Sequence, residues 1–213
     1  MDEKRNQIEE LEQAGIPAVL ADFECGCWGK HQPPTATDTE IIIAVGQGYR
    51  SNRHLHGQNT YILDVDAENR IGLIEMRKYG DLYGSGLWHY LVGVDGAPFV
   101  AQVPSTLDTL AEALNHITPA EVKRALAAGK DVVRQGDWFF IPVDRTPSGE
   151  PALNVALDDD HVAAICIRKK SVTYVQGAIQ HGHHTAVGLD TWHKAIQNNV
   201  IRTGRLARGG GAD

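Results

Sequence analysis

The stretch that most constrains the fold is WHYLVGV-DG-APFVAQV, residues 88–103. Two apolar runs rich in β-branched and aromatic residues flank Asp95-Gly96. Asp-Gly supports the positive φ values of a type I′ turn, so the stretch predicts a β-hairpin.

Similar signals recur along the chain. Residues 60–65 and 70–76 predict a second hairpin around Asp66-Ala67-Glu68-Asn69, and residues 161–168 and 171–179 a third, turning at Lys169-Lys170. Ile41 to Val45 and the aromatic run Asp137 to Val143 suit buried strands, the latter on both faces. AVLADF is compatible with a short strand, as are residues 131–134 and 185–190. Residues 192–200 are compatible with a strand or a short helix. Gly46 to Gln58, Tyr79 to Gly86 and Asp144 to Pro151 have loop chemistry.

Helical spacing is confined to three places. Ile8, Leu11 and Ala14 give residues 2–14 a narrow apolar stripe, closed by Gly15 and Pro17. Ser105 with Asp108 resembles a helix start before Leu107, Leu110, Ala111 and Leu114. Thr118-Pro119-Ala120-Glu121 has the form of a capping box, and Gly129 suits the following helix stop. Strands, a helical pair, then strands again predict an α+β fold. The expectation is a single domain over residues 1–202, with a mainly antiparallel, bent sheet or barrel-like β-roll. Residues 1–15 form a docking helix, the helical pair covers the sheet, and residues 203–213 form a flexible tail.

Composition narrows the function classes. Of 213 residues, 42% are hydrophobic, enough for a real core, and the net charge of −7 does not favour bulk attraction to nucleic acid or anionic membrane. Arg202, Arg205 and Arg208 make only a small basic tail. No apolar run approaches the ~20 residues that span a bilayer, and the polar N-terminus lacks a signal-peptide core. Three cysteines, Cys25, Cys27 and Cys166, do not form a disulfide framework. A cytoplasmic setting follows as the expectation.

The densest chemistry lies in VQGAIQHGHHTAVGLDTWHKAIQN, residues 175–198, with His181, His183, His184 and His193. Neutral imidazole ligates zinc and similar ions. A turn at Gly182 would let His181 or His184 meet His193, with Asn198 or Asp190 orienting an imidazole. The alternative is a set of loop histidines with structural roles. Cys25-Gly26-Cys27 with His31 has a spacing awkward for a shared zinc ion. Arg53, His54 and His56 suit a phosphate or carboxylate, or are ordinary polar loop residues. Gly84-Ser85-Gly86 lacks the strand-to-helix context of a nucleophile elbow.

The runs LVGVDGAPFVAQVP and RQGDWFFIP, with His181, His184, Trp192, His193 and Asn198, resemble a family of bacterial and phage proteins to which no activity is assigned. The resemblance spans residues 87–198. It implies a single domain with a recurrent His-Trp-His-Asn end, and no mechanism. Two functional expectations follow. One is a small soluble phage or bacterial accessory protein, a non-enzymatic module binding a protein or small ligand. The other is a hydrolase acting on a phosphoester or nucleotide-type substrate. There His181, His184, His193 and Asn198 would form the catalytic set, and the three histidines would hold a divalent metal such as zinc.

Overall fold

Strands account for 54% of the described residues and pair into two sheets. The computed structural model describes residues 2–22, 32–47, 56–80, 85–182 and 185–199. Packing groups the chain into one unit up to His116 and a second from Ile117 to Asn199. The boundary falls in the last turn of the helix Leu110–Ile117, so no Gly- or Ser-rich linker marks it. The tail after Asn199, and Cys25, Cys27, His31, Arg53, His54, His183 and His184, lie outside the described residues.

In the first unit, helix α1 (Asp2–Gln13) ends as its sequence predicts. Gly15 takes φ 71°, and Ile16 N–H returns to the Leu11 carbonyl at 2.9 Å. Leu11, Ala14 and Ile16 are buried. Strand β1 (Ala18–Asp22) pairs in parallel with β3 (Ile41–Gln47), on which β2 (Thr35–Ala36) also pairs. The other pairings among the described residues of this unit are antiparallel, so a mainly antiparallel sheet forms as expected. A meander follows: β4 (His56–Asp66), β5 (Ile71–Gly80), β6 (Gly86–Asp95) and β7 (Ala97–Val103). Residues 56–58, expected in a loop, belong to β4 because they complete its ladder with Lys78 to Gly80. The β6–β7 hairpin forms, but its turn is not type I′. Asp95 pairs with Ala97, and only Gly96 takes positive φ, 72°. Leu11, Ile16, Ile41, Ile43, Ile74, Met76, Tyr90 and Val92 pack together as the core of this unit.

Helix α2 (Leu110–Ile117) starts later than Ser105 and Asp108 suggest. Its box is Thr109 with Glu112. The Glu112 N–H donates to Thr109 Oγ1 at 3.3 Å, and the Thr109 N–H donates to Glu112 Oε2 at 3.3 Å. The expected Thr118 box does not form in helix α3 (Ala120–Ala127). Pro119 occupies the cap position without a side-chain bond, and Glu121 instead accepts from Lys194 Nζ at 2.6 Å. The helical pair therefore does not cover one sheet: α2 belongs to the first unit and α3 to the second.

The second unit adds β8 (Val133–Gln135), β9 (Trp138–Pro142), β10 (Ala152–Ala156), β11 (His161–Lys169), β12 (Val172–His181) and β13 (Val187–Gln197). Their spatial order is β10-β11-β12-β13-β9-β8. Lys170 at φ 55° turns β11 into β12, as expected. Residues 187–197 form one strand, which resolves the strand-or-helix alternative. Strand β9 is buried on both faces, also as expected. Trp138 and Phe140 join Ala163, Val175, Ile179 and Leu189, while Phe139 and Ile141 face Val122 and Ala125 of α3.

Phe140 is fully buried in this second core. Phe140→Ala is expected to destabilise the fold by about 3–5 kcal/mol in urea unfolding. Leu126→Ala, at a site 52% exposed, should cost less than about 1 kcal/mol.

Candidate functional site

Register decides which histidines meet. His161, at the start of β11, pairs with His181, at the end of β12. Their ring centroids are 4.2 Å apart with planes tilted by 53°. His193 instead lies opposite Val175 on β12 and Pro142 on β9. Val175 and His181 are six residues apart on β12, so roughly 20 Å of strand separates His193 from His181. The structure thus brings His181 to His161 rather than to His193. The expected third member, His184, lies outside the described residues.

His193 is buried, and its Nδ1–H donates to the Thr191 carbonyl at 2.8 Å. Asn198 engages Asp137 rather than an imidazole. Its backbone N–H donates to the Asp137 carbonyl at 2.8 Å, and its Nδ2 donates to Asp137 Oδ1 at 3.1 Å. These bonds tie the end of β13 to the Gly136-Asp137 turn. The Asp190 carbonyl accepts from Gln176 Nε2 at 3.1 Å. Of the Arg53, His54 and His56 group, only the backbone of His56 is described, where it opens β4 opposite Gly80. Cys166 is a buried free thiol whose pKa is pushed up by desolvation, which makes it a poor nucleophile.

The orienting carboxylate is Asp158, in the turn between β10 and β11. Its Oδ1 accepts the backbone N–H of Asp160 at 2.9 Å and of His161 at 2.7 Å. It also accepts His161 Nδ1–H at 3.0 Å, and Oδ2 accepts the Trp138 indole N–H at 2.8 Å. Burial raises the carboxyl pKa, but the Trp138, Asp160 and His161 donors together outweigh it and hold it near about 2. With Nδ1–H committed to Asp158, the His161 Nε2 lone pair points away from the clamp. His161 is fully buried, and its Nε2 has no hydrogen-bond partner among the described residues. A second orphan lies near this end of the sheet. Gln135 Nε2 donates to the Thr185 carbonyl at 2.8 Å and approaches that of Ile179, but its buried Oε1 has no partner among the described residues.

Asp158, His161 and Trp138 are absent from the sequence-derived set. The available signal was the run Asp158-Asp159-Asp160-His161 before an apolar strand, which suits an Asx turn. Nothing in that run says which aspartate turns inward. Among the described residues, no group of three or more His, Cys, Asp or Glu surrounds a metal position. An open groove of about 580 Å³, lined in part by Val143, Arg145, Ser148, Lys169 and Tyr174, does not include these histidines. No helix among the described residues is long and apolar enough to cross a membrane. Comparison with protein-family models, curated proteins and solved structures yields no match.

The depressed Asp158 pKa has a defined pH signature. A folded value near 2 against an ordinary 3.8 contributes about 2 kcal/mol of stability above pH ~4. That contribution is lost as pH falls from about 4 towards about 2. Asp158→Ala should therefore be less stable than the wild type at neutral pH, and the gap should narrow by about 2 kcal/mol across that window in urea unfolding.

Proposed function

We propose that this chain is a non-enzymatic binding module that takes up a divalent transition-metal ion at the His161–His181 pair. The buried, unpartnered Nε2 of His161 is the observation that carries the reading. An isolated buried acceptor costs about 1–3 kcal/mol, so the site gains from any group that engages that lone pair. A drug-sized ligand needs a pocket of hundreds of Å³, whereas an ion or one water needs far less. The neutral imidazole donor favours zinc-like ions over magnesium or calcium. A carboxylate that holds Nδ1–H, as Asp158 does, is the usual support of a metal-binding histidine.

The pair supplies two protein ligands, and the remaining positions would be filled by water or an incoming group. An ion bound tetrahedrally to both rings at about 2.0–2.1 Å would hold their centres roughly 5.2 Å apart. The 4.2 Å spacing then widens by about 1 Å on uptake. The full burial of His161 favours binding over the hydrolase alternative, because a catalytic base must reach its substrate. We place the module in the bacterial cytoplasm as a phage or bacterial accessory protein, with a protein or small molecule as the wider partner. The curled antiparallel sheet is read as the barrel-like β-roll that carries it.

Calorimetric titration of the folded protein with zinc near neutral pH tests this. One ion per chain is expected, with His161→Gln abolishing uptake and His193→Gln retaining it. Asp158→Asn should weaken uptake by about 10–100-fold, and affinity should fall as acid protonates the imidazoles. A wild-type protein that takes up no zinc, cobalt or nickel overturns the reading, as does wild-type affinity in folded His161→Gln.

A further inference from the structure

A second buried histidine, in the first unit, supports a different site. The β4–β5–β6 register sets Tyr61, Glu75 and His89 side by side, with Asn59, Arg77 and Leu87 in the adjacent row. Alternation along each strand puts both rows on the same sheet face. Glu75 and His89 are buried, whereas the Arg77 side chain is 60% exposed. The face therefore runs from a buried acid–base pair to an exposed guanidinium.

The polar contacts form one chain. His89 Nδ1 lies 2.9 Å from the Leu107 carbonyl, which can only accept, so Nδ1 carries a proton. His89 Nε2 lies 3.2 Å from Glu75 Oε2. Glu75 Oε1 accepts Arg77 Nε–H. Glu75 thus links the buried His89 to the exposed Arg77.

The guanidinium is held as well as charged. Glu75 fixes its Nε side, and its Cζ lies over the Tyr61 ring, 5.0 Å from the centroid. The terminal Nη1 and Nη2 groups have no partner among the described residues. A free surface arginine loses rotamer freedom on binding an anion, but much of Arg77's is already lost. The bland alternative is that Arg77 only neutralises Glu75. A lysine could do that, but it could not present a planar fork to a ligand.

We propose that Arg77 is an oxyanion-binding residue, taking two oxygens of a phosphate or carboxylate on its outer edge, with Glu75, His89 and Tyr61 as its positioning residues. Phosphate and carboxylate share this fork chemistry, and separate titrations distinguish them. The site rests on residues of the first unit alone and is independent of the His161 site.

The test is titration with inorganic phosphate, and separately with acetate, at constant ionic strength, read by the Arg77 Nε–H and Tyr61 NMR signals. Saturable shifts with at least one of the two anions are expected. Arg77→Lys, which keeps the charge, should bind about tenfold or more weakly, while Arg124→Lys binds as the wild type. Thermal unfolding of Arg77→Lys close to that of the wild type would show that lost binding is not lost folding. No saturable shift with either anion overturns the proposal, and so does unchanged affinity in Arg77→Lys.

Discussion

Strand β12 is held on both sides, by β11 and by β13, and the candidate site depends on the two registers that result. Each ladder contains an irregularity, between Ala163 and Ile165 on β11 and between Val175 and Gly177 on β12. Gly177, at φ 81°, takes the positive backbone angle at the second of these. A slip of one residue would send every side chain of β12 to the opposite face. The contact of His181 with His161, and the distance of His193 from both, are therefore consequences of pairing rather than of local preference.

Two carboxylates show opposite ways of holding a histidine. Asp158 collects four donors around one turn, so its charge is spread over fixed N–H groups and its pKa is low. It leaves one imidazole nitrogen unengaged. Glu75 sits between two positive or proton-bearing groups, and both nitrogens of His89 are engaged. The first arrangement exposes a lone pair inside the protein. The second passes a constraint outward to Arg77. The physical difference is the number of hydrogen-bond acceptors each ring meets.

Much of the fold was legible in residues. The Asp95-Gly96 hairpin, the Lys170 turn, the Gly15 and Gly129 helix stops and the doubly buried β9 all follow from local chemistry. Less legible were features decided by competition between partners. Glu121 could serve a cap or a distant lysine, and Lys194 takes it. Residues 56–58 look like loop until the ladder to β5 is drawn. The site was legible only in part: His181 stands out by its neighbours in sequence, while His161 follows three aspartates that read as a solvated turn.

The sequence by itself determined that the chain is mostly β with a few short helices, because hydrophobic period and turn residues act over a few positions. It also determined the stock of chemistry: ten histidines, three cysteines and an acidic balance. Only the tertiary structure decided the partition into two units, the parallel β1–β3 pair and the choice of partner for each histidine. These depend on contacts between residues far apart in the chain, such as His161 with His181 and His89 with Leu107. Local periodicity states which face a side chain occupies, but not which strand lies beside it.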